Sequence, residues 1–331
     1  MNDFKSFSQA VDELKQEDFD QLALEIFQFQ ALENKIYRSY LNARKIDVKS
    51  VQNLSQIPFL PIQFFKEHAV VCGNQAQFPS FFTSSGTTGM ITSRHYSWSE
   101  EWYLNHARRI FEKEYGSLEG FHVLALLPAY LERKGSSLVS MADFFIKSSQ
   151  SKHSGFYLYN QAELLSKIDQ LKNDSRKILL LGVTFALLDL VESGLEFSQA
   201  QNLLVMETGG MKGRRKEMIR EEVHEVLMRF FGVSTIHSEY GMTEMMSQAY
   251  SKGGGNYTLP TTMRVFLRDV NDPFSLTPRS QGGINIIDLA NFHSCSFLET
   301  QDLGKIDRQG RLHVLGRFDN SEIRGCNLLV Q

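Results

Sequence analysis

The stretch Phe81-Phe82-Thr83-Ser84-Ser85-Gly86-Thr87-Thr88-Gly89 runs two aromatic residues straight into hydroxyls and glycines. Such a run has nothing to bury. Gly86 and Gly89 admit backbone conformations closed to other residues. The hydroxyls of Ser84, Ser85, Thr87 and Thr88, with exposed amides, offer donors able to wrap a phosphate. An exposed Ser/Gly-rich turn has the same composition, so the stretch alone leaves both readings open. Its flanks favour a phosphate cradle: an apolar run precedes it, and helical periodicity follows from Trp98 to Tyr115.

Outward from this loop, the 331 residues suffice for one large domain or two ordinary ones. With 42% hydrophobic and 22% charged residues and a formal net charge of -3, nothing suggests disorder or a nucleic-acid footprint. Nucleic acid is not an expected partner. The start lacks an apolar signal region, and no stretch approaches the roughly 18 apolar residues of a membrane span, which points to a soluble cytoplasmic protein. Cys72, Cys295 and Cys326 are too scattered for a disulfide framework or a metal site. The histidines His68, His95, His122, His237 and His293 show no metal-ligand spacing either, and a satisfied structural histidine is the default for each.

The expected fold class is α/β. Residues 1–56 read as a helical N-terminal segment, with helices over 4–14, 19–30 and 32–44. Residues 57–262 read as an α/β body. It opens with the proline-punctuated connector Ile57-Pro58-Phe59-Leu60-Pro61-Ile62-Gln63-Phe64-Phe65-Lys66, where no regular helix is expected, and with short strands over 68–72 and 77–83. Strands then alternate with helices: strands over 122–127, 156–159, 178–182, 202–206 and 234–237, helices over 138–145, 162–171, 185–191 and 216–230. That alternation predicts mostly parallel sheets covered by helices. From Met263 to the end, short strands over 263–268, 283–289, 296–298, 304–306 and 312–315 predict a small antiparallel sheet or barrel as a subdomain with a short tail.

Two further loops follow strands, where α/β proteins place ligands. Met206-Glu207-Thr208-Gly209-Gly210-Met211-Lys212 is glycine-rich with a basic rim, and reads equally as a strand-to-helix turn or a nucleotide contact. His237-Ser238-Glu239-Tyr240-Gly241-Met242-Thr243-Glu244 reads as a polar turn in which Glu244 either charges a helix start or ligates Mg²⁺ beside phosphates. Among the histidines, His237 has the best functional case because it precedes this motif.

Taken in order, Ser84 to Gly89, Tyr240-Gly241-Met242-Thr243-Glu244, Thr300-Gln301-Asp302-Leu303-Gly304 and Gly316-Arg317-Phe318-Asp319 resemble the adenylate-forming superfamily of acyl-CoA synthetases, adenylation domains and luciferases. The resemblance runs from about Ile57 to the end. The 57–61 connector, the 207–210 loop and the terminal Glu322-Ile323-Arg324-Gly325-Cys326 are similar to its acyl-protein synthetase branch. It implies that Ser84, Ser85, Gly86, Thr87, Thr88 and Gly89 hold the ATP phosphates, that Tyr240 with Gly241 packs at adenine, and that Gly209 and Gly210 let the chain approach the adenine or acyl group. Thr243 would contact the α-phosphate, Glu244 would hold Mg²⁺, Asp302 would bind the ribose hydroxyls and Arg317 would be its cationic companion.

The chain departs from the superfamily pattern in three places. Arg94 is the strong cation nearest the hydroxyl loop, Gln301 replaces a glycine before Asp302, and only fourteen residues follow Arg317. The last point implies that the mobile C-terminal domain with its adenylation lysine is absent, so Lys212, Arg214 or Arg94 is the candidate substitute. In the acyl-protein synthetase branch a cysteine near the C-terminus receives the acyl group, and Cys326 sits at that position. Read without the resemblance, a cysteine beside Leu328, Leu329 and Val330 is a small buried hydrophobe. The expected function is ATP-dependent activation of a carboxylic acid, a fatty acid by resemblance, to acyl-AMP. The acyl group would then pass to Cys326 and on to a reductase, transferase or carrier protein. The alternatives are a phenylacetate-CoA-ligase-like enzyme using CoA, and a non-catalytic nucleotide- and acyl-binding module.

Overall fold

The computed structural model describes residues 2–84, 92–127, 135–209, 218–277 and 279–318. The N-terminal helices are α1 (Asn2–Asp12), α2 (Phe19–Glu33) and α3 (Lys35–Ala43). After them come β1 (Leu60–Pro61), α4 (Phe64–Glu67) and an antiparallel hairpin of β2 (Ser80–Thr83) and β3 (Arg94–Ser97). The α/β region follows: α5 (Glu100–Tyr115), β4 (Phe121–Leu126), α6 (Ser137–Ser148), β5 (Gly155–Tyr157), α7 (Gln161–Leu171), β6 (Lys177–Gly182), α8 (Thr184–Glu192), β7 (Leu203–Glu207), α9 (Arg220–Phe231) and β8 (His237–Tyr240). The remaining strands are β9 (Ala249–Ser251), β10 (Tyr257–Thr258), β11 (Met263–Arg268), β12 (Gln281–Asp288), β13 (Phe297–Ile306) and β14 (Leu312–Arg317).

Among the described residues, all strands except the β2–β3 hairpin join one sheet in the order β11-β12-β13-β14-β10-β9-β8-β7-β6-β4-β5, with β1 beside β13. From β5 to β8 the pairs are parallel; from β8 to β11 they are antiparallel. The parallel strands read as unbroken apolar runs, Phe-His-Val-Leu-Ala-Leu in β4 and Lys-Ile-Leu-Leu-Leu-Gly in β6, because helices cover both faces. β8 is the last parallel strand, so Tyr240 ends it where the sheet changes character.

Local signals set the helix ends. Ser99 caps α5 by accepting from the Trp102 amide, Glu100 and Glu101 charge its first turn, and Gly116 at φ +88° ends it. The α2–α3 pair is pinned to the antiparallel half by buried amides. Gln30 donates to Asn291 O and Phe292 O, both at 3.0 Å, and accepts from the Ser296 amide at 2.9 Å; Asn34 donates to Ser294 O at 2.9 Å. Phe19, Ile26 and Phe27 of α2 are fully buried in the same core as Phe297, with the Phe27 and Phe297 rings 5.8 Å apart, each contributing about 1.5–3 kcal/mol.

Several boundaries differ from the sequence reading. Residues 68–72 form no strand beyond a single bridge from Cys72 to Asn34, and the turn Phe64–Glu67 is helical because it lies just past the prolines. The strand expected over 234–237 instead runs His237–Tyr240, so the supposed polar turn begins inside the sheet. The two short strands expected over 296–298 and 304–306 are one strand of 10 residues. Polar Glu299, Gln301 and Asp302 hid that continuity by interrupting the apolar pattern.

Candidate functional site

Three of the four motifs converge at the junction of the two sheet halves. Asp302 on β13 and Arg317 on β14 are direct cross-strand partners. Arg317 Nε donates to Asp302 Oδ1 at 3.2 Å, while the Tyr240 hydroxyl donates to Asp302 Oδ2 at 2.8 Å. A register irregularity between Leu303 and Gly304 follows at once, the kind of bulge that re-aims a side chain at a strand end. Tyr240 is buried, and burial first, then Asp302, drives its phenol well above its ordinary pKa, so it remains a donor. Its ring lies 5.8 Å from that of Tyr257.

The hairpin brings Ser84 to the same neighbourhood from another direction. The Ser84 amide donates to Ser93 O and its hydroxyl accepts from the Ser93 amide at 2.9 Å, which closes the hairpin below the hydroxyl-rich loop. One residue pair ties this hairpin to Thr243 and Glu244. His95 on β3 meets Thr243 O through Nδ1 and Asn291 Oδ1 through Nε2, both at 2.8 Å, and Asn291 donates to Glu244 O at 2.7 Å. Burial pushes the His95 imidazole down to about 4, a structural histidine as the sequence suggested. Its position between two motifs was not legible, because residues 95, 243 and 291 are joined only by folding.

Glu244 itself is buried, and burial raises its carboxyl against a hydrogen bond from Ser93 and the nearby charges of Arg317 and Lys66. Among the described residues no group of three His, Cys, Asp or Glu side chains could hold a metal ion. Magnesium beside a nucleotide takes most of its ligands from phosphate and water, with one or two carboxylates from the protein, and Glu244 fits that demand.

The glycine loop after β7 is held by Glu207, to which the sequence reading gave no role of its own. Glu207 Oε2 accepts from Thr184 Oγ1 at 2.9 Å and from the Gly209 amide at 2.8 Å, holding Gly209 at φ +67°, where only glycine rests without strain. Its Oε1 lies 3.6 Å from both Arg220 Nε and His224 Nε2 on α9. Burial opposes the charge of Glu207, yet His224, Arg220, Ser238 and the Gly209 amide outweigh it and hold the carboxyl down to about 2. Arg220 also donates to Val314 O on β14 at 2.7 Å and stacks over Tyr257, connecting the glycine loop with the Tyr240–Asp302 side.

Other expected residues fall elsewhere. His237 starts β8, opposite the end that carries Tyr240, and its Nδ1 lies 3.2 Å from the Tyr115 hydroxyl; burial first, then Lys252 and Lys177, lowers it to about 4. Arg94 on β3 lies over the Phe81 ring. Cys72 and Cys295 are buried, and burial pushes the Cys295 thiol up to about 12 and raises Cys72 as well. Ser85, Gly86, Thr87, Thr88, Gly89, Gly210, Lys212, Arg214 and Cys326 lie outside the described residues. A cleft of about 530 Å³ along the β5 edge, lined by Lys152, His153, Tyr157 and Lys167 among others, holds none of the motif residues.

The arrangement has the fold of the adenylate-forming ligases. It resembles the solved structure of a 2-hydroxyisobutyryl-CoA ligase in complex with 2-HIB-AMP and CoA (TM-score 0.68, 13% identity, 94% of this chain and 71% of that one). It also resembles ATP-bound MatB from Rhodopseudomonas palustris (TM-score 0.53, 17% identity, 75% of this chain and 49% of that one). Within this class the chain belongs to the LuxE acyl-protein synthetase family, whose model matches residues 130–331. A curated relative, the long-chain-fatty-acid–luciferin-component ligase of Photorhabdus luminescens, is 33% identical over 69 residues, 21% of this chain and 59% of that protein. Among the described residues no helix is long and apolar enough to cross a membrane.

Proposed function

We propose that the protein activates a carboxylic acid with ATP, forming an acyl-adenylate and releasing pyrophosphate. The observation that carries this reading is the bonded set Tyr240–Asp302–Arg317 at the end of the last parallel strand. Asp302 supplies an ionisable acceptor suited to ribose hydroxyls, and Arg317 and Tyr240 fix its orientation. On this reading Thr243 and the hydroxyls of the run from Ser84 to Gly89 would take the phosphates, and Gly209 and Gly210 would let the base approach the chain. Glu244 would hold Mg²⁺, which when bound neutralises charge on the phosphate oxygens. Negative charge grows on those oxygens as the acid attacks, so donors and cations held in place before reaction lower the barrier. Lys212, Arg214 and Arg94 are the candidate cations for that task.

The acyl-adenylate then passes to a thiol. The likeness to a ligase solved with CoA over 94% of this chain supports CoA as that thiol. Membership of the acyl-protein synthetase family supports a second reading, in which Cys326 takes the acyl group before a partner protein; His237, at the far end of β8 and bonded to Tyr115, has no part in it. Acid-dependent exchange of labelled pyrophosphate into ATP tests the first step. Asp302→Ala should weaken ATP by about 10–100-fold, the worth of bonds to a charged group. Full ATP binding with no exchange across a broad acid panel overturns activation. Thioester release that needs CoA and ignores Cys326→Ser supports CoA; protein acylation lost in that variant supports the cysteine.

A further inference from the structure

Arg268 ends β11, the strand at the outer edge of the antiparallel half, and pairs there with Gly283 on β12. Its side chain runs inward rather than to solvent, and the residue is only 5% exposed. Nη1 donates to Ile284 O and to Asn285 Oδ1, both at 2.9 Å, and Nη2 donates to Thr300 O on β13 at 2.7 Å. Gly283 leaves the space for this: a Cβ there would sit 2.6 Å from Arg268 Cζ. The Phe318 ring lies over the guanidinium at 5.3 Å, and the Phe318 amide donates to Gln301 O at 2.8 Å.

These bonds fall where the ladder lapses. Gly283 pairs with Leu303 and Asn285 with Glu299, so Ile284 alone faces Thr300, Gln301 and Asp302. A bulge of this kind takes backbone groups out of register with their strand partners. Arg268 and Thr300 supply donors in their place: Thr300 Oγ1 donates to Ile284 O at 2.8 Å and accepts from the Asp302 amide at 3.1 Å. A chain of bonds therefore runs from Arg268 through Thr300 to Asp302, whose carboxylate meets Tyr240 and Arg317. Burying a guanidinium is costly unless its donors are met. Burial lowers the Arg268 pKa, while Glu299 first, then Asp302 and Tyr240, oppose that fall, so Asp302 lies within its field.

We infer that Arg268 is a positioning residue for the nucleotide: by bracing the bulge it aims the Asp302 carboxylate, and so sets recognition of the ribose hydroxyls while leaving the phosphates and the base alone. The inference rests on the reading that gives Asp302 to the ribose. Arg268 acts through Thr300 and Asp302 rather than by touching the ligand. Without the brace the bulge is free to turn Asp302 away, and a contact to two neighbouring hydroxyls tolerates little displacement. Lysine would keep the charge but not the planar fork that reaches two strands at once.

Calorimetric titration of the full chain with ATP and with dideoxy-ATP, which lacks both ribose hydroxyls, tests this without turnover. The parent protein should favour ATP by about 10–100-fold, the worth of bonds to a charged group. Arg268→Met should cut that preference to below about threefold, with dideoxy-ATP affinity held within about twofold. Arg268→Lys, which keeps the charge and one donor, should retain a preference above about fivefold. Thr300→Val removes the hydroxyl between Ile284 and Asp302 and should reduce the preference at least about threefold, which reads the same chain of bonds even where Arg268→Met does not fold. Equal weakening of both nucleotides would mean that Arg268 only holds the fold, and overturns the inference. A preference as large as the parent's in the folded variants overturns it too. A parent protein that binds both nucleotides equally removes the ribose role of Asp302 and this inference with it, whereas acid-dependent pyrophosphate exchange in that protein would still uphold activation.

Discussion

Glu207 and Glu239 stand on neighbouring strands, both buried, and burial raises the cost of charge on each. Glu207 has Thr184, the Gly209 amide, Arg220 and His224 around it and is held down to about 2; Glu239 has none of these and is pushed up to about 8. Burial alone therefore does not decide ionisation. What decides it is which face of the sheet each side chain takes, and so whether α9 presents Arg220 and His224 to it. The charged member braces a loop and a strand; the other lies against Tyr250 and Tyr103 with, among the described residues, no cation beside it.

The hardest blow to this contrast is Glu207→Ala. It strands Arg220 without a counter-ion and frees Gly209, and should cost about 3–5 kcal/mol in denaturant unfolding. A loss below about 1 kcal/mol would mean the network is ornamental. Next in size is the pH response. The native state keeps the Glu239 proton above the carboxyl's ordinary 4.5, up to about 8, while the unfolded chain has lost it. Stability from this group is thus full below about pH 4.5 and declines as pH rises to about 8. Glu239→Gln should remove that decline at the alkaline end; an unfolding midpoint that falls with pH as in the parent protein would deny Glu239 its protonated state. Glu207 has the opposite sign, present above about pH 4.5 and lost as pH falls toward about 2.

Tyr240→Phe sharpens the comparison with a smaller effect, because Asp302 keeps Arg317. ATP affinity should drop by roughly 5–10-fold, about 1–1.5 kcal/mol, with the fold intact. At the bottom of the scale, Arg229→Ala breaks an exposed pair with Glu225 on α9 and should leave the unfolding midpoint unmoved, since water already satisfies both charges.

Much of this was legible in the residues. The apolar runs of β4 and β6, the periodicity of α5 and the order of the motifs point to an α/β body and to Tyr240, Asp302 and Arg317 as one group, and the structure brings those three within hydrogen-bond reach. Strand limits were less legible where polar residues interrupt β13 or where β8 carries serine and glutamate into the sheet. His95 and Asn291 carried no signal, since their bonds span 148 and 196 residues of sequence.

The sequence by itself determined the fold class and the family pattern, because periodicity and motif order are local properties of the chain. Only the tertiary structure decided which partner each group meets. It gave Glu207 to Arg220, Asp302 to Tyr240, and left Glu239 opposite Tyr250, because strand alternation and sheet order bring distant residues onto one face, and the resulting neighbours set charge, hydrogen bonding and so the site's chemistry.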